Sequence, residues 1–162
     1  MRMQWAGAAG LLMLVAQGAA AQEMAGGMGD GQGMYTITSV NKKLVPAQTW
    51  KRTASDTTCS TVTQHGTLML DSKGKWALLI TERDRCTRGS KTWIEPDQST
   101  ISGGTYSNES GILTLTDAET GTAHRATLDN NRLTVMVTGT DPVAGQSAVY
   151  VFRRQQSIRR KG

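Results

Sequence analysis

Two histidines, His65 and His124, are the side chains of this sequence best suited to move a proton or hold a metal ion near neutral pH. Neither belongs to an H-E-x-x-H or H-x-H motif, or to a histidine and cysteine cluster with zinc-ligand spacing. The sequence also lacks a phosphate-binding loop, a Rossmann fingerprint and the G-x-S-x-G motif of serine hydrolases. These observations predict a protein without catalytic residues, metal or cofactor.

Methionine thioethers and a short run of carboxylates are the next groups with potential chemistry. The segment EMAGGMGDGQGM contains Met24, Met28 and Met34, and thioether sulfur is a ligand that the cuprous ion favours. No histidine or cysteine lies beside these methionines, and the glycines among them favour a flexible linker instead. Glu82 and Asp84 alternate with the arginines of TERDRCTR, a pattern that predicts a solvated strand edge.

The first residues indicate the compartment. Arg2 precedes an apolar run around residues 11–15, which is too short to span a bilayer, and three alanines follow at residues 19–21. This order is typical of a cleavable secretory signal peptide over residues 1–21, and cleavage there leaves Gln22 as the new N-terminus. No cysteine follows the cleavage site to carry a lipid, so we expect a periplasmic or secreted protein.

The net charge of +5 is concentrated near the C-terminus. The segment RRQQSIRRKG, which begins at Arg153, carries five cationic side chains, whereas residues 22–152 hold 12 cationic and 13 acidic residues. A basic tail, residues 155–162, favours weak contact with anionic membranes, while nucleic-acid binding requires a basic face. The sequence therefore predicts no nucleic-acid partner, and we expect a monomer.

The segments that position these side chains have the pattern of strands throughout. From Tyr35 onward, short runs rich in Thr, Val, Ile and Leu are separated by Gly, Asn, Asp and Ser, and no window shows a helical apolar stripe. This pattern predicts an all-β domain over residues 34–154, after a linker rich in glycine and methionine at residues 22–33. Eight or nine antiparallel strands joined mostly by hairpins indicate an up-and-down β-barrel.

The stretch GTLMLDSKGKWALLI gives the register of one hairpin. The residues DSKG suit a type I turn with Gly74 in the left-handed conformation, and this turn fixes how the flanking strands pair. The predicted pairs are Asp71–Lys75, Leu70–Trp76, Leu68–Leu78 and Gly66–Ile80. The turn and the alternation of apolar residues choose the same register, which supports both.

Two later turns place a second group of apolar residues on one face. The turn at residues 129–132 favours a two-residue hairpin because its asparagines tolerate positive φ, and a loop at residues 118–121 joins the preceding two strands. The predicted pairs are Asp117–Thr122, Leu113–Ala126, Leu115–His124, Leu128–Leu133 and Ala126–Val135. His124 is then the one polar residue on an otherwise apolar face.

Cys59 and Cys86 are the only cysteines, and in an exported chain we expect them to form a structural disulfide. The hairpin register leaves them one residue out of alignment. One extra residue that bulges from the first strand between Cys59 and Leu68 corrects this offset, and Gly66 is the expected host. A redox pair would more usually have C-x-x-C spacing.

Several segments resemble those of small bacterial lipocalin-like domain proteins: Gly33-x-Tyr35 at the first strand, LMLDSKGKW, GGTYS followed by GILTLTD, and VFRR at the end. The resemblance covers about residues 33–154. It implies an extracytoplasmic barrel without catalytic chemistry, whose interior accepts a small apolar ligand. In lipocalins the tryptophan of a Gly-x-Trp motif packs against an arginine near the last strand. Here Tyr35 replaces the tryptophan, and Arg153 or Arg154 is the candidate partner.

The inward face of the barrel is the candidate ligand site. Its predicted apolar lining is Leu68, Leu70, Trp76, Leu78, Leu115, Val135 and Val137. The residues assigned to ligand binding are Trp76, Leu78, Leu115, His124 and Val137. An eight-stranded barrel is either filled by such side chains or holds one small ligand.

Two functions therefore stay open. The first is a carrier or sensor of a small hydrophobic molecule, and the second is a filled barrel that binds an envelope protein, for example as an inhibitor. A cavity of about several hundred cubic ångströms favours the first function. A filled core with a contiguous exposed apolar patch favours the second.

Overall fold

A computed structural model of the protein describes residues 31–139, 143 and 145–155. The predicted signal peptide lies outside the described residues, as do most of the predicted linker and tail. Within the described part of the chain every regular element is a strand. None of the described residues forms a helix that is long and apolar enough to cross a membrane.

One antiparallel sheet contains all the described strands and closes on itself through the pairing of β1 with β4. The strands are β1 Gly33–Val40, β2 Lys43–Leu44, β3 Ala47–Ala54, β4 Thr57–Leu70, β5 Lys75–Arg88, β6 Lys91–Ile94, β7 Gln98–Glu109, β8 Ile112–Asp117, β9 Ala123–Asp129, β10 Arg132–Thr138 and β11 Ser147–Arg154. Eight of them form the closed barrel, in the order β1, β11, β10, β9, β8, β7, β5, β4. The predicted all-β antiparallel barrel is confirmed, and β2, β3 and β6 are additions to it.

The β4–β5 hairpin has the predicted register. Leu70 pairs with Trp76, Leu68 with Leu78 and Gly66 with Ile80. Gly74 has a φ of 73°, the left-handed conformation that the turn requires. The carboxylate of Asp71 accepts hydrogen bonds of 2.8 Å from the backbone N–H groups of Lys73 and Lys75. The turn is therefore fixed by its own side chain as well as by glycine.

The bulge that aligns the cysteines lies at Gln64, between Thr63 and His65, and the prediction of Gly66 as its host is wrong. The reason is that β4 changes partner here, since it pairs with β3 up to Thr63 and with β1 from Thr67 onward. Gly66 stays in the ladder, where a Cβ atom would lie 3.1 Å from the carbonyl oxygen of Leu79.

The bulge brings the two cysteines directly opposite each other on β4 and β5. Cys59 pairs with Cys86 in the ladder, and their sulfur atoms are 2.01 Å apart. The predicted disulfide is therefore present. It lies far from the β4–β5 turn, so it links the two strands at the open end of their hairpin.

Strands β8, β9 and β10 also have the predicted register. Leu115 pairs with His124 and Ala126 with both Leu113 and Val135. The turn between β9 and β10 differs in one detail, because only its first asparagine, Asn130, has a positive φ (53°). The three strands share one inward face, and leucine, valine and alanine alternate along it with exposed residues.

The two ends of the described chain meet where β1 pairs with β11. Tyr35 is fully buried, its hydroxyl donates a 2.6 Å hydrogen bond to the carbonyl oxygen of Gly31, and the guanidinium of Arg154 lies 5.7 Å from its ring centre. Arg154 also donates to the carbonyl oxygen of Gln32. Arg154 rather than Arg153 therefore contacts the aromatic ring, and the last residues of the predicted linker pack on the barrel.

The other half of the barrel is less regular because β4 and β5 each change partners along their length. β5 pairs with β7 up to Glu82 and with β6 from Arg85 onward, so β7 separates from β5 near Glu82. The side-chain amide of Gln146 forms two hydrogen bonds with the backbone of Lys51 on β3. The amide oxygen accepts from the Lys51 N–H at 3.0 Å, and the amide nitrogen donates to the Lys51 carbonyl oxygen. This amide joins β3 to the segment that precedes β11.

Candidate ligand cavity

A cavity of about 120 Å³ lies inside the barrel. It is lined by Leu68, Trp76, Leu78, Ser102, Leu115, Asp117, His124, Val135, Val137, Tyr150 and Phe152. All the residues that the sequence assigned to ligand binding are among them. Leu70, which was also expected in the lining, is instead buried in the core of the barrel.

Strand alternation explains why residues so distant in sequence meet at this cavity. Trp76 and Leu78 are two residues apart on β5 and therefore face the same side, and the β8–β9 pairing places Leu115 beside His124. The indole N–H of Trp76 donates a 3.1 Å hydrogen bond to the carbonyl oxygen of Thr116. This hydrogen bond fixes the orientation of the indole ring, whose apolar atoms line the cavity.

Two polar residues of the lining, Asp117 and His124, lie on either side of the β8–β9 loop. The carboxylate of Asp117 accepts hydrogen bonds from the backbone N–H and the hydroxyl of Thr120 and from the N–H of Glu119. These bonds, with the Thr120 N–H contributing most, lower the pKa of Asp117, and the charge of His124 lowers it further. Asp117 is therefore ionised and engaged in its turn, so His124 is the better placed of the two to bind a polar group of a ligand.

The sequence interpretation missed part of this lining. Tyr150 and Phe152 lie on β11 and complete the apolar wall, and their rings are 6.4 Å apart. A usable signal was present, because the alternation in AVYVFRR puts both aromatic residues on one face. Ser102 carried no comparable signal, since it lies in a polar and glycine-rich stretch.

A second, polar cleft of about 130 Å³ lies where β7 separates from β5. Its lining is Arg52, Thr61, Glu82, Arg83, Asp84, Gln98 and Thr100. Asp84 accepts a 2.6 Å hydrogen bond from the Thr61 hydroxyl and forms an ion pair with Arg52. The expected solvated edge is therefore wrong for Glu82 and Asp84, whose partners lie on neighbouring strands.

Glu82 connects this cleft to the interior of the barrel. The Thr63 hydroxyl donates to Glu82 at 3.0 Å and also shares a hydrogen bond with Thr49. Burial raises the pKa of Glu82, Thr63 opposes the rise, and the nearby charge of Asp84 adds to it. Thr49 and Thr63 also contact the hydroxyl of Tyr150, whose pKa burial raises. A chain of hydroxyl groups thus runs from the polar cleft to a residue that lines the apolar cavity.

The two histidines do not act together. His124 lines the cavity, whereas His65 is exposed on β4. Among the residues that the structure describes, no group of three or more histidine, cysteine, aspartate or glutamate side chains is arranged to hold a metal ion. The site offers an apolar wall, one fixed indole and an imidazole.

Comparison of this chain with protein-family models, with curated proteins and with solved structures found no match.

Proposed function

We propose that this protein is a non-enzymatic, extracytoplasmic barrel that binds a small apolar molecule in its interior. The observation that carries the proposal is the cavity lined by Trp76, Leu78, Leu115 and Val137, with His124 as the polar side chain that orients a ligand. The disulfide supports a location outside the cytoplasm, because such bonds persist in oxidising compartments.

The size of the cavity restricts the ligand. Sites for drug-sized molecules measure roughly 300–1,000 Å³, whereas an apolar cavity of about 150 Å³ holds a single benzene ring. At about 120 Å³, this cavity suits a compact molecule such as one aromatic ring or a short branched chain. A long fatty acid or a quinone tail requires the side chains to move.

Tryptophan fluorescence tests the proposal. Replacing Trp50 and Trp93 by phenylalanine leaves Trp76 as the tryptophan of the described barrel. Titration with benzene, toluene, phenol, naphthalene and a long-chain fatty acid should then change the Trp76 emission and raise the melting temperature for the compact members of the series. If no member of the series changes either quantity, the ligand-binding proposal fails.

A pair of neighbouring substitutions separates cavity binding from binding elsewhere. Val137 lines the cavity, whereas Met136 beside it points outward and is 53% exposed. Val137→Phe should fill the cavity and abolish the response, while Met136→Phe should leave it unchanged. Equal loss of response in both variants would show that the ligand binds outside the cavity.

The alternative, an envelope protein-binding or inhibitor module, requires a filled barrel. The interior contains a cavity lined by apolar side chains, which favours ligand binding. A titration without any response would leave the surface-binding function as the remaining proposal.

A further inference from the structure

The apolar cavity and the polar cleft lie on one inward face of the barrel. On β5, Leu78 lines the cavity and Glu82 lines the cleft. Ile80 lies between them, and because alternate residues of a strand point to the same side of a sheet, all three side chains are directed inward. The β7 partners of Leu78 and Glu82 follow the same order, since Ser102 lines the cavity and Gln98 lines the cleft. Two adjacent strands therefore lead from an apolar space to a polar one.

The side chains between the two spaces are accessible to solvent. Ile80 pairs with Thr100 in the ladder, and although both face inward, Ile80 is only partly buried and Thr100 is exposed. Glu82 lies four positions after Leu78, which corresponds to about 13 Å along an extended strand. A molecule with an apolar group in the cavity and a short methylene chain beside Ile80 would therefore reach Glu82.

The cleft contains one carboxylate more than its cations neutralise. Arg52 forms an ion pair with Asp84, and Arg83 forms one with Asp97. Within the described part of the chain, Glu82 belongs to neither of these pairs nor to the third ion pair. The cleft is therefore suited to a ligand group of positive charge.

The surroundings of Glu82 support a cationic partner. Its carboxylate accepts a 3.0 Å hydrogen bond from the neutral hydroxyl of Thr63. Burial raises the pKa of Glu82, and the charge of Asp84 raises it further, so both disfavour the ionised form. An ammonium group would stabilise the ionised carboxylate through a charge-assisted hydrogen bond. A ligand carboxylate would instead be repelled by Glu82 and Asp84.

We propose that the ligand of this barrel is a small amphiphilic amine, with its apolar group in the cavity and its ammonium group beside Glu82 in the cleft. Because the apolar group must occupy the cavity, this assignment rests on the proposed function. Burial of the apolar group favours binding of any compact molecule. The carboxylate of Glu82 then selects an amine over a neutral or acidic molecule of the same shape.

Titration calorimetry with three molecules of similar shape tests the assignment. The probes 4-phenylbutylamine, 4-phenylbutan-1-ol and 5-phenylpentanoate share one ring and one methylene chain and differ in the charge of the end group. The amine should bind about tenfold more tightly than the alcohol or better, because a charged hydrogen bond replaces a neutral one. The carboxylate should bind most weakly. Toluene, which has no chain to reach the cleft, measures binding to the cavity alone.

A shorter amine provides a control for the distance between the two spaces. The ammonium group of 2-phenylethylamine does not reach Glu82 when its ring lies in the cavity, so it would be placed in apolar surroundings. This amine should therefore bind more weakly than 2-phenylethanol, because burial of an unpaired charge is costly. The preference for an amine should thus reverse between the short and the long chain.

Substitution of Glu82 is the decisive comparison. Glu82→Gln keeps the size of the side chain but removes its charge, and should reduce the preference for 4-phenylbutylamine over 4-phenylbutan-1-ol about tenfold. Glu109→Gln changes an exposed glutamate at the other end of β7 and should keep the preference. Circular dichroism and the melting temperature verify that both variants are folded.

The results distinguish the amine assignment from the proposed function. Binding of toluene without a preference for 4-phenylbutylamine over the alcohol would overturn the amine assignment and leave the cavity as a site for apolar molecules. A preference that Glu82→Gln retains would also overturn it, because the ammonium group would then lie elsewhere. Absence of binding by toluene and by all the longer probes would refute the proposed function together with the amine assignment.

Discussion

Reduction of the Cys59–Cys86 disulfide should destabilise the barrel substantially, because the bond closes the longest hairpin of the sheet at its open end. The two cysteines are separated by 27 positions in the sequence, and β4 and β5 pair over almost the whole interval. In the unfolded chain, the bond restricts the distance between these positions. Breaking it restores that conformational freedom to the unfolded state and leaves the folded ladder otherwise intact.

The expected magnitude follows from the length of the closed loop. For a loop of this length, the chain-entropy relation gives about 3.6 kcal/mol at room temperature. A domain of about 120 residues has an unfolding entropy of roughly 0.25 kcal/mol per degree, so the melting temperature should fall by about 10–15 °C on reduction. Residual hairpin structure in the unfolded chain would lower both values.

Urea denaturation of the oxidised and reduced protein measures the effect directly. The same protein in two redox states is compared, so no side chain is removed from the positions of Cys59 and Cys86, which are both largely buried. The variant Cys59→Ala/Cys86→Ala is the control, and the reductant should not change its stability. A difference below about 1 kcal/mol between the redox states would refute the loop-entropy reasoning. Two free thiols in the oxidised protein would refute the bond itself.

Three further predictions concern other residues. Burial raises the pKa of Glu82 in the folded state. The protonated carboxyl therefore makes its full contribution to the free energy of unfolding below the ordinary glutamate pKa. This contribution is lost as the pH rises through the raised value. In urea denaturation, Glu82→Gln should therefore be more stable than the unchanged protein at neutral pH and similar to it near about pH 4. A loss of stability in Glu82→Gln at neutral pH would contradict this prediction. Arg154→Met should lower the free energy of unfolding by about 1–3 kcal/mol in the same assay, since it removes the cation over Tyr35 and a hydrogen-bond donor to Gln32. The control Arg153→Met, at an exposed position, should change it little. Equal losses in the two variants would contradict the assignment of Arg154 as the partner of Tyr35. Removal of residues 156–162 should change the unfolding free energy by less than about 0.5 kcal/mol, and a larger loss in thermal or urea unfolding would show that the tail packs on the barrel.

The hairpins were predictable from the sequence because their determinants are local. Asp71 and Gly74 specify a turn, and the alternation of leucines around it specifies the same register. The position of the bulge was not predictable in this way. Glycine is a common host for bulges, but Gln64 takes the role because β4 exchanges β3 for β1 there, and that exchange depends on strands far away in sequence.

The candidate site was likewise predictable only where local sequence patterns determine it. Alternation and register placed Trp76, Leu115 and His124 on one inward face, and they line one cavity. The volume of that cavity could not be derived, because leucines that fill a barrel and leucines that line a cavity have the same pattern. Glu82 was misinterpreted since its environment is set by Thr63 on another strand and by the departure of β7.

The pairing of the first barrel strand with the last has a consequence for how the chain folds. Thr36 and Gln155 are hydrogen bonded although they are 119 residues apart, so the seam between β1 and β11 cannot form before the end of the chain is available. Contacts of such long range slow folding, because the loop must close before they contribute. Until then, β1 and β10 present unpaired edges that can join those of other molecules. A chain that ends before Ser147 should therefore aggregate, even though the hairpins from β4 to β10 are all encoded in it.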